Sequence, residues 1–144
     1  MRGMLTEETK IIRIQASTVA GTSTITSDAV DMAADGGWDE VTGVADFETA
    51  AADNILKAQQ SSDDAVADAY SDIEGSAVPV DTDDTTQRCN IVRPSKRYVK
   101  FVATRGTSTL LGTMLAILSR PRKAYTPSGN YNVERLVTPA EGTA

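Results

Sequence analysis

The segment from Thr109 to Ser119 constrains the fold most, because it is apolar on both sides when alternate side chains are assigned to opposite faces. One side carries Leu110, Met114, Ala116 and Leu118, and the other carries Leu111, Leu115 and Ile117. A helix is the alternative, since the leucines also form a stripe with helical spacing, but Gly112 and two threonines favour a strand. Such a strand has no solvent side, so we expect one face to pack in the core and the other to meet a neighbouring subunit.

Other segments are also typical of β-structure. Residues 11–32 predict a strand, a turn and a second strand, because Ile12 and Ile14 alternate with polar residues and β-branched threonines follow the turn. The alternation is clearest in residues 89–92 and 97–103. These patterns predict an all-β domain.

Two further segments are less regular. Residues 38–60 fit a helix by the spacing of their apolar side chains and a strand by the alternation around Leu56, and we favour the strand. Residues 77–80 contain a proline, which is typical of an edge strand. We expect a single antiparallel β-sandwich over residues 1–123, with an N-terminal arm at 1–10 and a C-terminal arm at 124–144.

Charge is segregated along the chain. Residues 28–84 carry sixteen acidic side chains and one lysine, whereas residues 85–133 carry nine basic side chains and no acidic one. The basic strands could neutralise the acidic loops of the same subunit, or they could face an acidic partner such as the Asp-rich loops of an identical copy. A cyclic oligomer would satisfy the second arrangement.

The composition argues against catalysis and cofactor binding. The chain has no histidine and one cysteine, Cys89, which we expect to be a buried apolar residue and not a nucleophile. It lacks the glycine-rich loops that bind phosphates. Its net charge of −6 argues against general nucleic-acid binding. We also expect no membrane span and no export signal, since no apolar stretch has the required length.

The spacing of two acidic residues resembles that of a calcium-binding loop. Asp63 and Glu74 stand at positions 1 and 12 of a possible EF-hand loop, but alanines occupy the intervening ligand positions, at 65 and 67. A weak cation site at Asp81, Asp83 and Asp84 is possible in principle, and we expect no bound metal.

Four pieces of the chain resemble small virion proteins of tailed bacteriophages, notably head decoration or cement proteins. They are KAQQSSDD at 57–64, DIEG at 72–75, RYVK at 97–100 and AILSRPR at 116–122. The resemblance covers residues 55–123, and it implies a jelly-roll-like β-sandwich, often trimeric, on the outside of the capsid. It implies a protein that binds the major capsid protein, is assembled in the host cytoplasm and catalyses nothing.

We therefore expect a structural virion protein that stabilises the head through oligomeric and capsid contacts. The residues expected at its interface are Arg93, Lys96, Arg97, Leu111, Leu115, Ile117, Arg120, Arg122 and Lys123. Two alternatives stay open: a tail or neck connector, and a glycan-binding sandwich module. The order of the same pieces also looks like discoidin-like sugar-binding sandwiches, and Trp38 or Tyr70 would then stack on the sugar.

Overall fold

In the computed structural model, which describes residues 8–78 and 85–124, the chain forms two packed antiparallel sheets. The strands are β1 Thr9–Gln15, β2 Ile25–Thr26, β3 Val30–Asp31, β4 Trp38–Asp46, β5 Ile55–Ser61, β6 Ser71–Asp72, β7 Thr86–Val92, β8 Tyr98–Thr104 and β9 Met114–Pro121. A 3-10 turn at Ala34–Gly36 leads into β4. None of the described residues forms a helix long and apolar enough to cross a lipid bilayer.

The strand order is that of a jelly roll. The first sheet, sheet I, has the order β1-β9-β4-β7, and the second, sheet II, has the order β2-β8-β5-β6, with β3 also paired to β8. Strands β2 and β3 lie along the same edge of β8, so they act as one interrupted strand. With β2 and β3 counted together, each sheet has four strands, and the two strand orders are those of a jelly roll. The expected all-β, jelly-roll-like sandwich is confirmed.

The core lies between the sheets, and its large side chains come from both. Trp38, Phe47 and Phe101 are completely buried there. Phe101 on β8 lies directly over Gly43 on β4, where a Cβ atom would overlap its ring. The two sheets therefore approach closely at this position because β4 has a glycine there.

The two ambiguous segments are strands. Residues 38–60 contain β4 and all but the last residue of β5. The apolar segment 109–119 contains most of β9, which lies between β1 and β4 in sheet I. Helix is wrong for both. The short strands β2, β3 and β6 have only two residues each.

The predicted alternation is wrong at the start of the apolar segment. Leu111 is completely buried in the core, on the same side as Met114 and not with Leu115 and Ile117. The ladder between β4 and β9 pairs Val44 with Leu115, and the next bridge pairs Phe47 with Leu111. Three steps on one side thus match four on the other, so a one-residue bulge at 112–113 reverses the alternation.

The predicted arms fall mostly outside the described residues. Strand β1 begins at Thr9, inside the segment assigned to the N-terminal arm. Residues 1–7 and 125–144 lie outside the described ranges, as do residues 79–80 of the expected edge strand and the three aspartates at 81, 83 and 84.

Candidate functional site

The outer face of sheet I has an apolar centre. The register places Ile11, Ile117, Thr42 and Asn90 side by side across the four strands. The next outward row is formed by Arg13, Leu115, Val44 and Arg88. Outward side chains of neighbouring strands on such rows contact one another and make a continuous surface.

This apolar centre is open to solvent. Ile11 is 50% exposed and Val92, on the edge strand β7, is 48% exposed. Val44, Leu115 and Ile117 are partly exposed. Leu115 and Ile117 thus lie on a surface, as the predicted interface requires, whereas the buried Leu111 does not.

Basic side chains gather at one end of the same face, which we call the basic corner: Arg93, Arg120, Arg122 and Lys123. Here β7 and β9 end beside the start of β4. Arg122 donates a hydrogen bond from Nε to Oδ1 of Asp39 at 2.7 Å, and the backbone N–H of Arg93 donates to the Asp39 carbonyl at 2.6 Å. The guanidinium of Arg122, followed by weaker attraction from Arg93 and Arg120, lowers the pKa of Asp39.

Most cations around this face have no acidic partner. Within the described part of the chain, Arg93, Arg120 and Lys123 form no ion pair, and neither do Arg13 and Arg88 at the sides of the apolar centre. The basic corner therefore sets four cations against two carboxylates, those of Asp39 and of Glu40, which accepts a hydrogen bond from Asn90.

Two arginines of the basic corner also have unusual backbones. Arg93 has φ of 51° and Arg120 has φ of 56°, in the left-handed region that side chains with a Cβ atom rarely adopt. Each such residue costs on the order of 1 kcal/mol and is typical of functional positions. These two left-handed residues interrupt the regular hydrogen-bond ladder at the basic corner.

The remaining predicted interface cations have partners within the subunit. Lys96 binds Asp68 at 2.7 Å, and Arg97 makes a two-bond pair with Asp31 at 2.8 and 2.7 Å. These contacts lower the pKa of Asp68 to about 2 and also lower that of Asp31, in each case chiefly through the hydrogen bonds from the cation. For Lys96 and Arg97 the structure therefore matches neutralisation of the subunit's own acidic loops.

The cations on the outer face of sheet II also have acidic partners within the subunit. Lys57 binds Asp72 at 2.6 Å, and Gln59 donates to the same carboxylate at 2.8 Å. Lys100 lies 3.7 Å from Asp64. The two outer faces of one sandwich thus differ: the cations of sheet II are paired, and most of those around sheet I are not.

The acidic loop at 61–70 uses its carboxylates internally. Asp63 accepts hydrogen bonds from the backbone N–H groups of Val66, Ala67 and Asp68, which lower its pKa. These bonds give the EF-hand-like aspartate a structural role. In the described residues no three metal-ligating side chains come together.

The two aromatic residues considered for sugar stacking are already engaged. Trp38 is completely buried. The hydroxyl of Tyr70 donates to Asp64 at 2.6 Å, and Nζ of Lys100 lies 4.2 Å from the ring centre. Burial and the hydrogen bond to Asp64 raise the pKa of Tyr70. Trp38 therefore offers no face on which a sugar could stack, and Lys100 occupies one face of the Tyr70 ring.

Arg105 is a residue that sequence reasoning missed. It is only 5% exposed, and its guanidinium donates to the carbonyls of Ser23, Val19 and Thr109 at 2.8 to 2.9 Å and to the Ser23 hydroxyl at 2.6 Å. It thereby fastens the loop between β1 and β2 to the segment before β9. The sequence gives no sign that this arginine is buried while its neighbours in the basic block are exposed.

Comparison with known proteins gives a likeness in fold only. No protein-family model matches the chain, and no curated protein matches it in sequence. Among solved structures, the chain is similar to PBSX exported protein XepA, with a TM-score of 0.55 and 15% sequence identity. The match covers 98% of this chain and 46% of that one, so the chain spans less than half the length of its structural neighbour.

Proposed function

We propose that the chain is a structural virion protein of a tailed bacteriophage that decorates the capsid and cements it through the outer face of sheet I. The observation that carries this proposal is the difference between the two outer faces. The face of sheet I combines an open apolar centre with unpaired arginines, and the face of sheet II neutralises its own charges.

The face has the chemistry of an interface. Apolar side chains at the centre lose contact with water on docking, and this stabilises the complex by about 25 cal/mol for each Å² buried. Arginine is enriched at interfaces, and unpaired arginines at the rim attract an acidic partner and orient it. A stable contact of standard size buries roughly 1,600 Å² in total, and repetition over a shell multiplies modest contacts.

Two further observations support the virion assignment. The sequence pieces at 57–64, 72–75, 97–100 and 116–122 resemble decoration proteins. The similarity in fold is to a protein described as exported, which is compatible with a role outside the cell that makes the chain. In this role the partner is the major capsid protein, and the subunits are homo-oligomers on the capsid surface.

The decisive experiment is co-sedimentation with head shells assembled from the major capsid protein of the same phage. Ile11→Glu places a carboxylate on the open face of an edge strand, and we expect it to reduce shell binding at least tenfold. Val66→Glu is the matched control, because Val66 is 86% exposed in the acidic loop of sheet II and should bind as the parent does. Equal binding by both variants and the parent would contradict the proposal.

A mass-spectrometric inventory of purified virions separates the remaining functions. A decoration protein is present in copy numbers close to those of the capsid protein. A tail or neck connector would be present in a few copies, and that result would replace the decoration role. The glycan-binding alternative would have to rely on Tyr70, because Trp38 is completely buried.

A further inference from the structure

The end of the sandwich opposite the basic corner is acidic. Three exposed carboxylates, which we call the acidic end, lie at the end of β4 and in the connection to β5: Asp46, Glu48 and Asp53. Within the described residues none of them forms an ion pair. The one cation in the described connections of this end is Arg105, which is buried and directed at backbone carbonyls.

The two charged regions are separated by the length of sheet I. Strand β4 begins at the basic corner and ends at Asp46, and β7 returns from Thr86, opposite Asp46, to Arg93. Seven residue steps from Asp39 to Asp46 correspond to about 23 Å in an extended strand. A single subunit therefore cannot bring its basic corner to its own acidic end.

The acidic end also presents an apolar side chain. Val19 is 84% exposed, and its loop is held in place by the Thr18 N–H, which donates to the Leu111 carbonyl at 2.8 Å. On the other side of the same segment, the Glu48 N–H donates to the Leu110 carbonyl at 3.0 Å. Val19 and Glu48 thus lie on either side of one extended segment, roughly two strand spacings or about 10 Å apart.

We propose that subunits associate head to tail, with the acidic end and Val19 of one copy seated on the basic corner of the next and on the exposed Val92 beside it. Carboxylates then meet unpaired arginines, Val19 meets Val92, and the apolar centre around Ile11 stays free for the capsid. Face-to-face pairing of two sheet I surfaces is disfavoured, because it would bring arginines against arginines.

The symmetry of the assembly follows from this pairing. The two surfaces are different, so the interface is heterologous, and repeated contacts close into a ring such as a trimer. The inference rests on the proposed function in one respect, the association of identical subunits. It adds the two surfaces through which they meet, and it leaves the apolar centre around Ile11 to the capsid protein.

Charge reversal tests the pairing in the isolated full-length protein, by sedimentation velocity at low salt. The first double variant carries Arg93→Glu and Arg120→Glu, and the second carries Glu48→Lys and Asp53→Lys. These side chains are exposed and have no ion pair in the described structure, so we expect both variants to fold. We expect each to self-associate about 100-fold more weakly than the parent, because like charges would now face each other.

The variant with all four changes is the sharpest control. It has the net charge of the parent and exchanged signs at both surfaces, so it should associate with itself and not with the parent chain. Circular dichroism checks the fold of each variant. Val19→Asp should also weaken association, and its matched control, Val66→Asp, should not. Self-association of the two double variants at the parental level would overturn the proposal, as would a parent that is monomeric at high concentration.

Shell binding keeps this inference separable from the proposed function. A monomeric parent that still binds head shells would refute head-to-tail association and leave the decoration role intact. A parent that forms rings and does not bind shells would refute decoration and leave the ring intact.

Discussion

Replacing Arg105 with methionine tests how much the buried guanidinium contributes to stability. Methionine keeps a side chain of similar length and removes all four hydrogen bonds to Ser23, Val19 and Thr109. Three of the acceptors are backbone carbonyls that lose a charged donor, at about 1 kcal/mol each. Relief from burying a charge offsets part of this loss. We expect a net loss of about 2 kcal/mol in the free energy of unfolding.

Urea denaturation followed by tryptophan fluorescence measures this loss, since the single tryptophan, Trp38, is buried in the core. With a slope of roughly 2 kcal/mol per M, the midpoint should fall by about 1 M. Arg105→Lys should lower the free energy of unfolding by nearly as much, because one ammonium group cannot reach all the acceptors that the planar guanidinium group reaches. Arg13→Met is the control, since Arg13 is exposed and should stay within about 0.5 kcal/mol of the parent.

Hydrogen exchange adds a local readout of the same substitution. The amides of Thr18 and Gly21 donate to the segment that Arg105 fastens, and in Arg105→Met both should exchange faster than in the parent. A methionine variant as stable as the parent, with unchanged exchange at these amides, would refute the idea that Arg105 fastens this loop.

Three other outcomes follow from single contacts. Gly43→Val should destabilise the fold by about 3 kcal/mol or prevent folding, because the new side chain overlaps the Phe101 ring, and thermal melting will show whether it does. Removing the cation in Lys96→Met should raise the pKa of Asp68 from about 2 towards 3.8. In the parent, the stability that ionised Asp68 contributes is present above the pKa of the unfolded state and is lost as the pH falls towards 2. An unchanged titration of the Asp68 carboxyl by NMR would contradict the pairing with Lys96. Burial raises the pKa of the Cys89 thiol to about 11. A thiol reagent at pH 8 should therefore label the folded protein slowly and the unfolded protein quickly. Fast labelling of both forms would contradict the burial of Cys89.

The strands could be predicted from the sequence because alternation with a period of two is a direct result of the pleat. This alternation identified β7 and β8, and it favoured strands over helices for β4 and β5. The second strand predicted within residues 11–32 is present as β2, but the two-residue strands β3 and β6 could not be found, since a pattern of two residues carries no period. The alternation also placed Leu111 on the wrong face, because one extra residue in a strand moves the side chains beyond it to the opposite face of the sheet. The dipeptide Gly112-Thr113 does not by itself indicate a bulge.

The candidate site was predictable in composition and not in detail. The basic block and the apolar segment do meet on sheet I, through Leu115, Ile117 and Arg120. Which cations find an acidic partner depends on contacts between distant parts of the chain. Arg97 binds Asp31, 66 residues away, and no local pattern distinguishes it from the unpaired Arg93.

The bulge at 112–113 gives the molecule one place at which its length can change without loss of the core. Deleting a single residue there would restore an unbroken ladder in which Leu111 still lies opposite Phe47 and still points inward. The Leu111 carbonyl, which accepts from the Thr18 N–H, would keep its position, so neither the loop of Val19 nor the basic corner would move. Gly112 and Thr113 are not buried, so the chain can lose one residue at this point while every core side chain stays in place.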